Sequence, residues 1–485
     1  MRQRFDSNPA FSIVPIEKVE IPLKSRDELP PVLVGLQWIW CHSTLKEQIF
    51  GILEKHILAG KAATGRTGMD LWQILVLGVT RLALDADWDR MEHLANYDSL
   101  LRQMLGLPQT AWGEPDKRFN HQTLRDNVAL LDEGLLKEIN VLVAAAGRVE
   151  FKNRENGQQS DPLAIKVDTY VLETDVHFPT DLNLLLDSGR KCLDLVEKYR
   201  DQKEYDLPGW RKLDDWQGRL KGSERAASKA CAGGGADKEK RVSRAVSSYL
   251  EVAREVSAKV SESLLSLCDK AVEGNDWENL AYYHGMLDKH IDLVDRRLLQ
   301  KQVIPVSEKV YSIFEPHTEW INKGKRDVEL GHRVLIGVDQ DQLIHDYDIL
   351  HNQVDMGQSV SVADRLVGRY GVGRIESMSF DKGFSRDADK ELLDLYIPVV
   401  VMPKRGKKNA AQSAEESAAR FVGLRHAHSG VESAINALEH HGLDRCLDVG
   451  KEGYARYVGM GVLAYNLHFI GRRLQEKRRL MALAA

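Results

Sequence analysis

One strand-like run, LAIKVDTYVLE (163–173), alternates β-branched and polar residues and stands alone between two long stretches of helical periodicity. Residues 183–303 after it carry apolar side chains at three- and four-residue spacing, as in LSLCDKAVEGNDWENLAYYHGMLDKHIDLVDRRLL. A polar break, CAGGGADKEKR (231–241), reads as a hairpin between long helices. Strands resume at VYSIF (310–314), and HRVLIGV and QLIHDYDIL then flank Asp339-Gln340-Asp341 as a hairpin. A helix (SVADRLVGRYG), a strand (RIESMSFD), a helix (SRDADKELLDLY) and a strand (IPVVVMP) follow, and helices around 429–441 and 453–475 finish the chain. With the helical insert set aside, a three-strand meander leads into alternating helix and strand. The fold expected is a mixed α/β sheet with flanking helices and a long helical insert after the first strand.

Upstream, residues 43–147 are helical throughout, in TLKEQIFGILEKHIL, MDLWQILVLGVTRLAL, DWDRMEHLANYDSLLRQML and HQTLRDNVALLDEGLLKEINVLVAAAG. They read as a compact all-helical N-terminal domain. Residues 1–40, punctuated by Pro9, Pro15, Pro22, Pro30 and Pro31, read as an extended arm. The division expected is an arm over 1–40, a helical domain over 41–150, the first part of the sheet domain over 160–182, the insert over 183–303 and the rest of the sheet domain over 304–480.

At 485 residues and 43% apolar, the chain is long enough for several domains and apolar enough to bury their cores. Its longest apolar stretches, 71–84 and 458–470, fall short of the ~20 residues that span a bilayer. MRQRFDSNPAF has no apolar run behind its charges and does not read as a secretory signal. Cys41, Cys192, Cys231, Cys268 and Cys446 lie far apart with no CxxC pair, so neither a disulfide framework nor a zinc site is expected, and the histidines of 426–428 and 440–441 meet no ligand spacing. A cytoplasmic protein is the expectation. The net charge of −5 speaks at first against nucleic acid, but it is an average: residues 401–485 hold 14 basic and 8 acidic side chains, a net +6.

Three carboxylates occupy special places. Along the first strand Ile165, Val167, Thr169 and Val171 share one face, so Asp168 projects from the other beside Lys166. Asp381 ends the strand RIESMSFD, and Glu432 begins the helix GVESAINALEHHG, next to an apolar stripe of Val431, Ala434, Ile435 and Leu438. Carboxylates converging from different elements are what two-metal phosphoryl transfer uses, because Mg²⁺ prefers oxygen ligands and two ions can stabilise both the attacking and the leaving oxygen. Asp175 and Asp181, in a turn after the strand, are rival first carboxylates, with helix capping as the alternative for Asp181. Asp355 reads equally as a neighbour of the site or as a helix cap. GKAATGRT (60–67) follows a helix and has Arg66 where a P-loop needs Lys, and Gly368, Gly371 and Gly373 precede a strand, so neither is a nucleotide-binding loop. Cationic runs flank the carboxylates: Lys323, Lys325 and Arg326 in INKGKR, and Lys404, Arg405, Lys407 and Lys408 in PKRGKK, with further runs at 219–244 and 471–479. Such runs suit contact with a phosphate backbone.

The stretches KVDTYVLETDVHFPTDLNLL, INKGKRDVELGHRVLIGVDQDQLIHDYDI, FDKGFSRDADKELL and HSGVESAINALEHHGLDRCLDVGKEGYARYVGMGVLAYNLHFIGRRL resemble, in order, the DDE transposases of bacterial insertion sequences. GRTGMDLWQILVLGVTRL and ANYDSLLRQMLGL in the N-terminal region share the resemblance, which runs from about residue 44 to 475. It implies a ribonuclease-H-like catalytic core in which Asp168, Asp381 and Glu432 bind two Mg²⁺ ions, with Mn²⁺ able to substitute. It further implies double-stranded DNA as substrate, at terminal inverted repeats and at the target, and a homodimer or larger synaptic complex. Many relatives carry Tyr, Arg and Lys seven and four residues before and seven after the catalytic Glu. Here Arg425, His428 and Glu439 stand there, which leaves Glu439 as a rival third carboxylate. Arg425 and His428 join the lysines as expected DNA contacts. A nuclease on the same core without strand transfer, or a non-catalytic DNA-binding remnant, are the other functions compatible with the pattern.

Overall fold

A computed structural model describes residues 2–5, 13–60, 68–108, 117–152, 162–201, 207, 209–210, 212–269, 275–322 and 328–484. The chain forms two compact units, one from Met1–Asp175 with Ile321–Ala485, the other from Val176–Trp320.

In the first unit a mixed open sheet is built from β1 (Leu163–Thr174), β2 (Glu319–Asn322), β3 (Val328–Val338), β4 (Ile344–Leu350), β5 (Ile375–Phe380), β6 (Val399–Val401) and the short β7 (Arg445–Cys446). The order is β2-β3-β1-β5-β6, with β4 also on β3 and β7 also on β1. β1 runs antiparallel to β3 (Asp168 opposite Ile336) and parallel to β5 (Val167 opposite Phe380). The alternation read from the sequence is real. Leu163, Ile165 and Val167 pack with Met378, Phe380 and Leu366 on one face of the sheet, while Tyr170 and Leu172 join the larger core on the other.

That larger core corrects the expected N-terminal division. Helical residues such as Leu33, Leu53, Trp72, Leu75, Leu136 and Val143 belong to the same buried cluster as Ile336, Ile344, Val431 and Leu463. The outer edge of β4 is closed by side chains from two helices: Asn140 donates to the Ile344 carbonyl at 3.0 Å, and Asn466 pairs with both Ile344 backbone groups at 2.9 Å. Residues 41–150 therefore have no separate core among the described residues.

The expected arm over 1–40 is also corrected, because Leu29–Cys41 is a buried helix. Pro30 and Pro31 sit in its first turn, where the missing N–H would be unsatisfied anyway and the fixed φ suits a helix. Asp27 accepts from the Leu29 N–H at 2.8 Å. VYSIF is not a strand: Ser312 Oγ accepts from the N–H groups of Phe314 and Glu315, a local turn that competes with ladder pairing.

The second unit is the insert with its own core. Four long helices, Asp181–Asp201, Leu213–Ala232, Lys238–Asp269 and Asn275–Val294, bury Leu185, Val196, Leu220, Tyr249, Val256 and Leu287. The unit ends at Trp320, past the expected 303, because Arg296 pairs with Glu308 at 2.6 Å and Tyr282 donates to the Ile313 carbonyl. Among the described residues no helix is long and apolar enough to cross a membrane.

Candidate active site

The register of the parallel pair sets two of the three carboxylates side by side. Val167 and Phe380 are partners, so Asp168 and Asp381 are the next residues along, with strands about 4.8 Å apart and side chains directed to the same face. Asp381 keeps an extended backbone (φ −72°, ψ 165°) and then turns into Lys382–Phe384. On this edge β1 next pairs at Glu173, with β7, so among the described residues a gap opens beside Asp168 at the carboxyl end of β5. Ligands of open α/β sheets bind at such strand ends.

The helix Ser429–Leu438 brings the third. Val431, Ala434 and Leu438 are buried, with Ile435 packed behind them, and Glu432 remains exposed at its first turn. Its start lies against Lys166, since a Cβ on Gly430 would come within 2.8 Å of Lys166 Nζ. Gln342, in the left-handed region at φ +68°, links the two: its amide donates to the Gly430 carbonyl at 2.9 Å and accepts from Lys166 at 3.0 Å.

Electrostatics places the three in one neighbourhood. The carboxyl of Asp168 is pushed up to about 6, first by burial, with the negative charges of Asp381, Asp355 and Glu432 adding to the rise. The Thr169 N–H, 2.8 Å from Asp168 Oδ1, opposes it. Glu439 lies near buried Tyr170, further along β1. Asp175 faces Arg445 at 3.6 Å, and Asp181 pairs with Arg297 at 2.6 Å in the other unit. The trio is more open than a one-ion cage, whose ligating atoms would all lie within 4.8 Å.

Two further residues join the site. Asp355 accepts from Thr169 Oγ1 at 2.7 Å and abuts the turn after Asp381, where a Cβ on Gly383 would lie 2.9 Å from its Oδ2. Its side chain thus meets Thr169 and the turn after Asp381 and does not cap the next helix. His428 is half-buried, its Nδ1 2.9 Å from Ser379 Oγ and its buried Nε2 without a partner. Burial lowers its affinity for a proton, against the pull of Asp381 and Glu432.

The expected DNA contacts divide. Lys323, Lys325 and Arg326 lie outside the described residues. Lys404 pairs with Asp387 at 2.9 Å, Lys408 pairs with Glu416, and Arg425 lies near that same Glu416. Arg405 and Lys407 are exposed. Local acids thus hold much of the positive charge counted in the sequence.

Burial and repulsion at Asp168 have a measurable consequence. Its folded value near 6 lies above the ordinary 3.8, so the folded chain loses stability as pH rises through that window and does not regain it above. Asp168→Asn is expected to stabilise the ion-free protein at neutral pH by about 1–3 kcal/mol and to leave it unchanged below about pH 4. Calorimetry at the two pH values checks this; equal stability at neutral pH would remove burial and repulsion as features of the site.

Comparison with protein-family models, curated proteins and solved structures finds no match to this chain.

Proposed function

We propose that this chain is a DNA transposase that cuts element ends and joins the freed 3′-hydroxyl to target DNA, with a ribonuclease-H-like core as its catalytic scaffold. The observation that carries the reading is the convergence of Asp168, Asp381 and Glu432, far apart in the sequence, where the carboxyl end of β5 meets the middle of β1 in register. The sheet supports it too: β1, β3 and β4 form an antiparallel meander, and β5 and β6 add parallel to it through helical crossovers.

The donor set fits a pair of hard divalent cations. The charges of Asp381 and Glu432 raise the proton affinity of Asp168, and no cation is paired to Asp381 or Glu432 among the described contacts, which makes an oxygen-only site with negative charge to spare. Asp168, Asp381 and Glu432 would hold two Mg²⁺, or Mn²⁺ in their place. Such ions, when bound, supply positive charge to the attacking and leaving oxygens of phosphoryl transfer.

The remaining residues bind and orient. Asp355 holds Thr169 and through it the strand next to Asp168. Lys166 and Gln342 fix the start of the helix that carries Glu432. His428, with an unpartnered ring nitrogen beside the trio, is a donor for a phosphate oxygen, and exposed Arg405 and Lys407 are backbone contacts for DNA. Because two DNA ends must be joined together, a dimer or larger synaptic assembly in the cytoplasm is part of the reading. A joining assay with pre-cut DNA ends tests it and separates it from a nuclease, which would only hydrolyse.

A further inference from the structure

Away from the carboxylates, Glu28, His441 and His468 meet on the first unit. Each offers a ligating atom, and these atoms all lie within 4.8 Å of one another. The two imidazoles stack obliquely, with ring centroids 5.0 Å apart. His468 Nε2 lies 2.5 Å from Glu28 Oε2. The three come from the start of the helix Leu29–Cys41, the turn after Ser429–Leu438 and the middle of the C-terminal helix, and they border a surface cavity of about 560 Å³.

Each residue is held as a ligand should be. His441 Nδ1 is 2.7 Å from the Ala83 carbonyl. A carbonyl only accepts, so Nδ1 carries the proton and the Nε2 lone pair is left free, the arrangement by which backbone carbonyls orient metal-bound histidines. The ring is fixed by a local π turn, Glu439–Leu443, that breaks at His441 and at Gly442 (φ +83°), with Tyr457 donating to the Gly442 carbonyl at 3.0 Å. Such π turns recur at functional sites. His468 is buried in the C-terminal helix. Only Glu28 is half-exposed and free to adjust.

We propose that Glu28, His441 and His468 form a binding site for a first-row transition-metal ion of the Zn²⁺ type, distinct from the oxygen-only carboxylate site. Two nitrogens and one carboxylate match the ligand preference of Zn²⁺, whereas Mg²⁺ prefers oxygen alone. In tetrahedral coordination with bonds near 2.0–2.1 Å, ligand atoms stand about 3.3 Å apart. The ion would take the place of the proton shared by His468 Nε2 and Glu28, which part by under an ångström through movement of Glu28, and that proton is released on binding. The fourth position opens on the cavity. Asp27, Arg90, His440 and Arg472 also line it.

The test is Co²⁺ titration of the full chain after chelator treatment, read by visible absorption, which is intense for a four-coordinate nitrogen-ligated centre and weak for an octahedral oxygen site. One intense-absorbing ion per chain is expected, retained in Asp168→Asn. His441→Gln and His468→Gln should abolish the signal, and Glu28→Gln, a half-exposed change that spares the core, should weaken binding at least about tenfold. Absence of the signal in the wild type, its persistence in Glu28→Gln at full affinity, or its loss in Asp168→Asn would each overturn the assignment.

Discussion

Asp168→Asn, Asp381→Asn and Glu432→Gln are each expected to slow DNA strand cleavage by about a thousandfold or more while DNA affinity stays within a few-fold. The substitutions keep side-chain shape and remove one negative charge, so what they delete is capacity to hold a cation. Binding should persist, because the cations that meet the phosphate backbone are other residues. Glu439→Gln is the internal control: Glu439 is exposed and its charge bears on buried Tyr170, so cleavage should fall by a few-fold at most. Asp355→Asn should lie between, since Asp355 acts through its bond to Thr169 and its charge on Asp168. Single-turnover nicking of DNA from either flank of the coding sequence, with binding followed by gel shift, makes the comparison. Loss in Glu439→Gln with retention in Glu432→Gln would move the third carboxylate one face along the helix.

Gly471→Ala is expected to destabilise the fold by about 3 kcal/mol or more. The helix Leu29–Cys41 and the C-terminal helix Gly450–Ala484 pack with their backbones almost touching. A Cβ at Gly471 would stand 1.8 Å from the Pro31 carbonyl oxygen, and one at Gly35 would stand 2.2 Å from that of Leu467. Both obstacles are main chain, so no rotamer relieves them and the helices must separate along a seam that buries Leu33, Leu36, Leu467 and Ile470. Gly423→Ala, in the helix Ala419–Ala427 with nothing near its Cβ, is the contrast: it should be neutral or stabilising by about 0.5–1 kcal/mol. Chemical denaturation of the three proteins checks both signs. Equal stability of Gly471→Ala and wild type would mean that the helices do not pack this closely.

Much of the sheet was readable from residue pattern, because alternation along 163–173 and the polar Asp339–Asp341 break are local signals. So was the face of Ser429–Leu438 that carries Glu432. What failed was local pattern with a tertiary meaning. Pro30 and Pro31 signal a break by composition, yet at a helix start they are well suited. Apolar periodicity over 43–147 says that helices bury a face but not what covers it, and here the sheet and the C-terminal helix share that core. His428 was reachable by its spacing from Glu432 and Asp355 as one of two readings, but their bonds to Ser379 and Thr169 come from the tertiary fold. Glu28 and His468 come from opposite ends of the chain, so the nitrogen-rich cluster around His441 had no sequence signature. Charge runs were the least informative, since Lys404 and Lys408 are held by Asp387 and Glu416.

Strand transfer with a pre-cut end goes furthest toward deciding what the carboxylates do. The full chain, given Mg²⁺, a labelled DNA end from the flank of its coding sequence with a free 3′-hydroxyl, and plasmid target, is expected to link label to plasmid covalently. Chelator and Asp168→Asn should each abolish the linked product. Joined product that persists in chelator or in Asp168→Asn, or hydrolysis of the end with no joining in Mg²⁺, would contradict a transposase built on Asp168, Asp381 and Glu432.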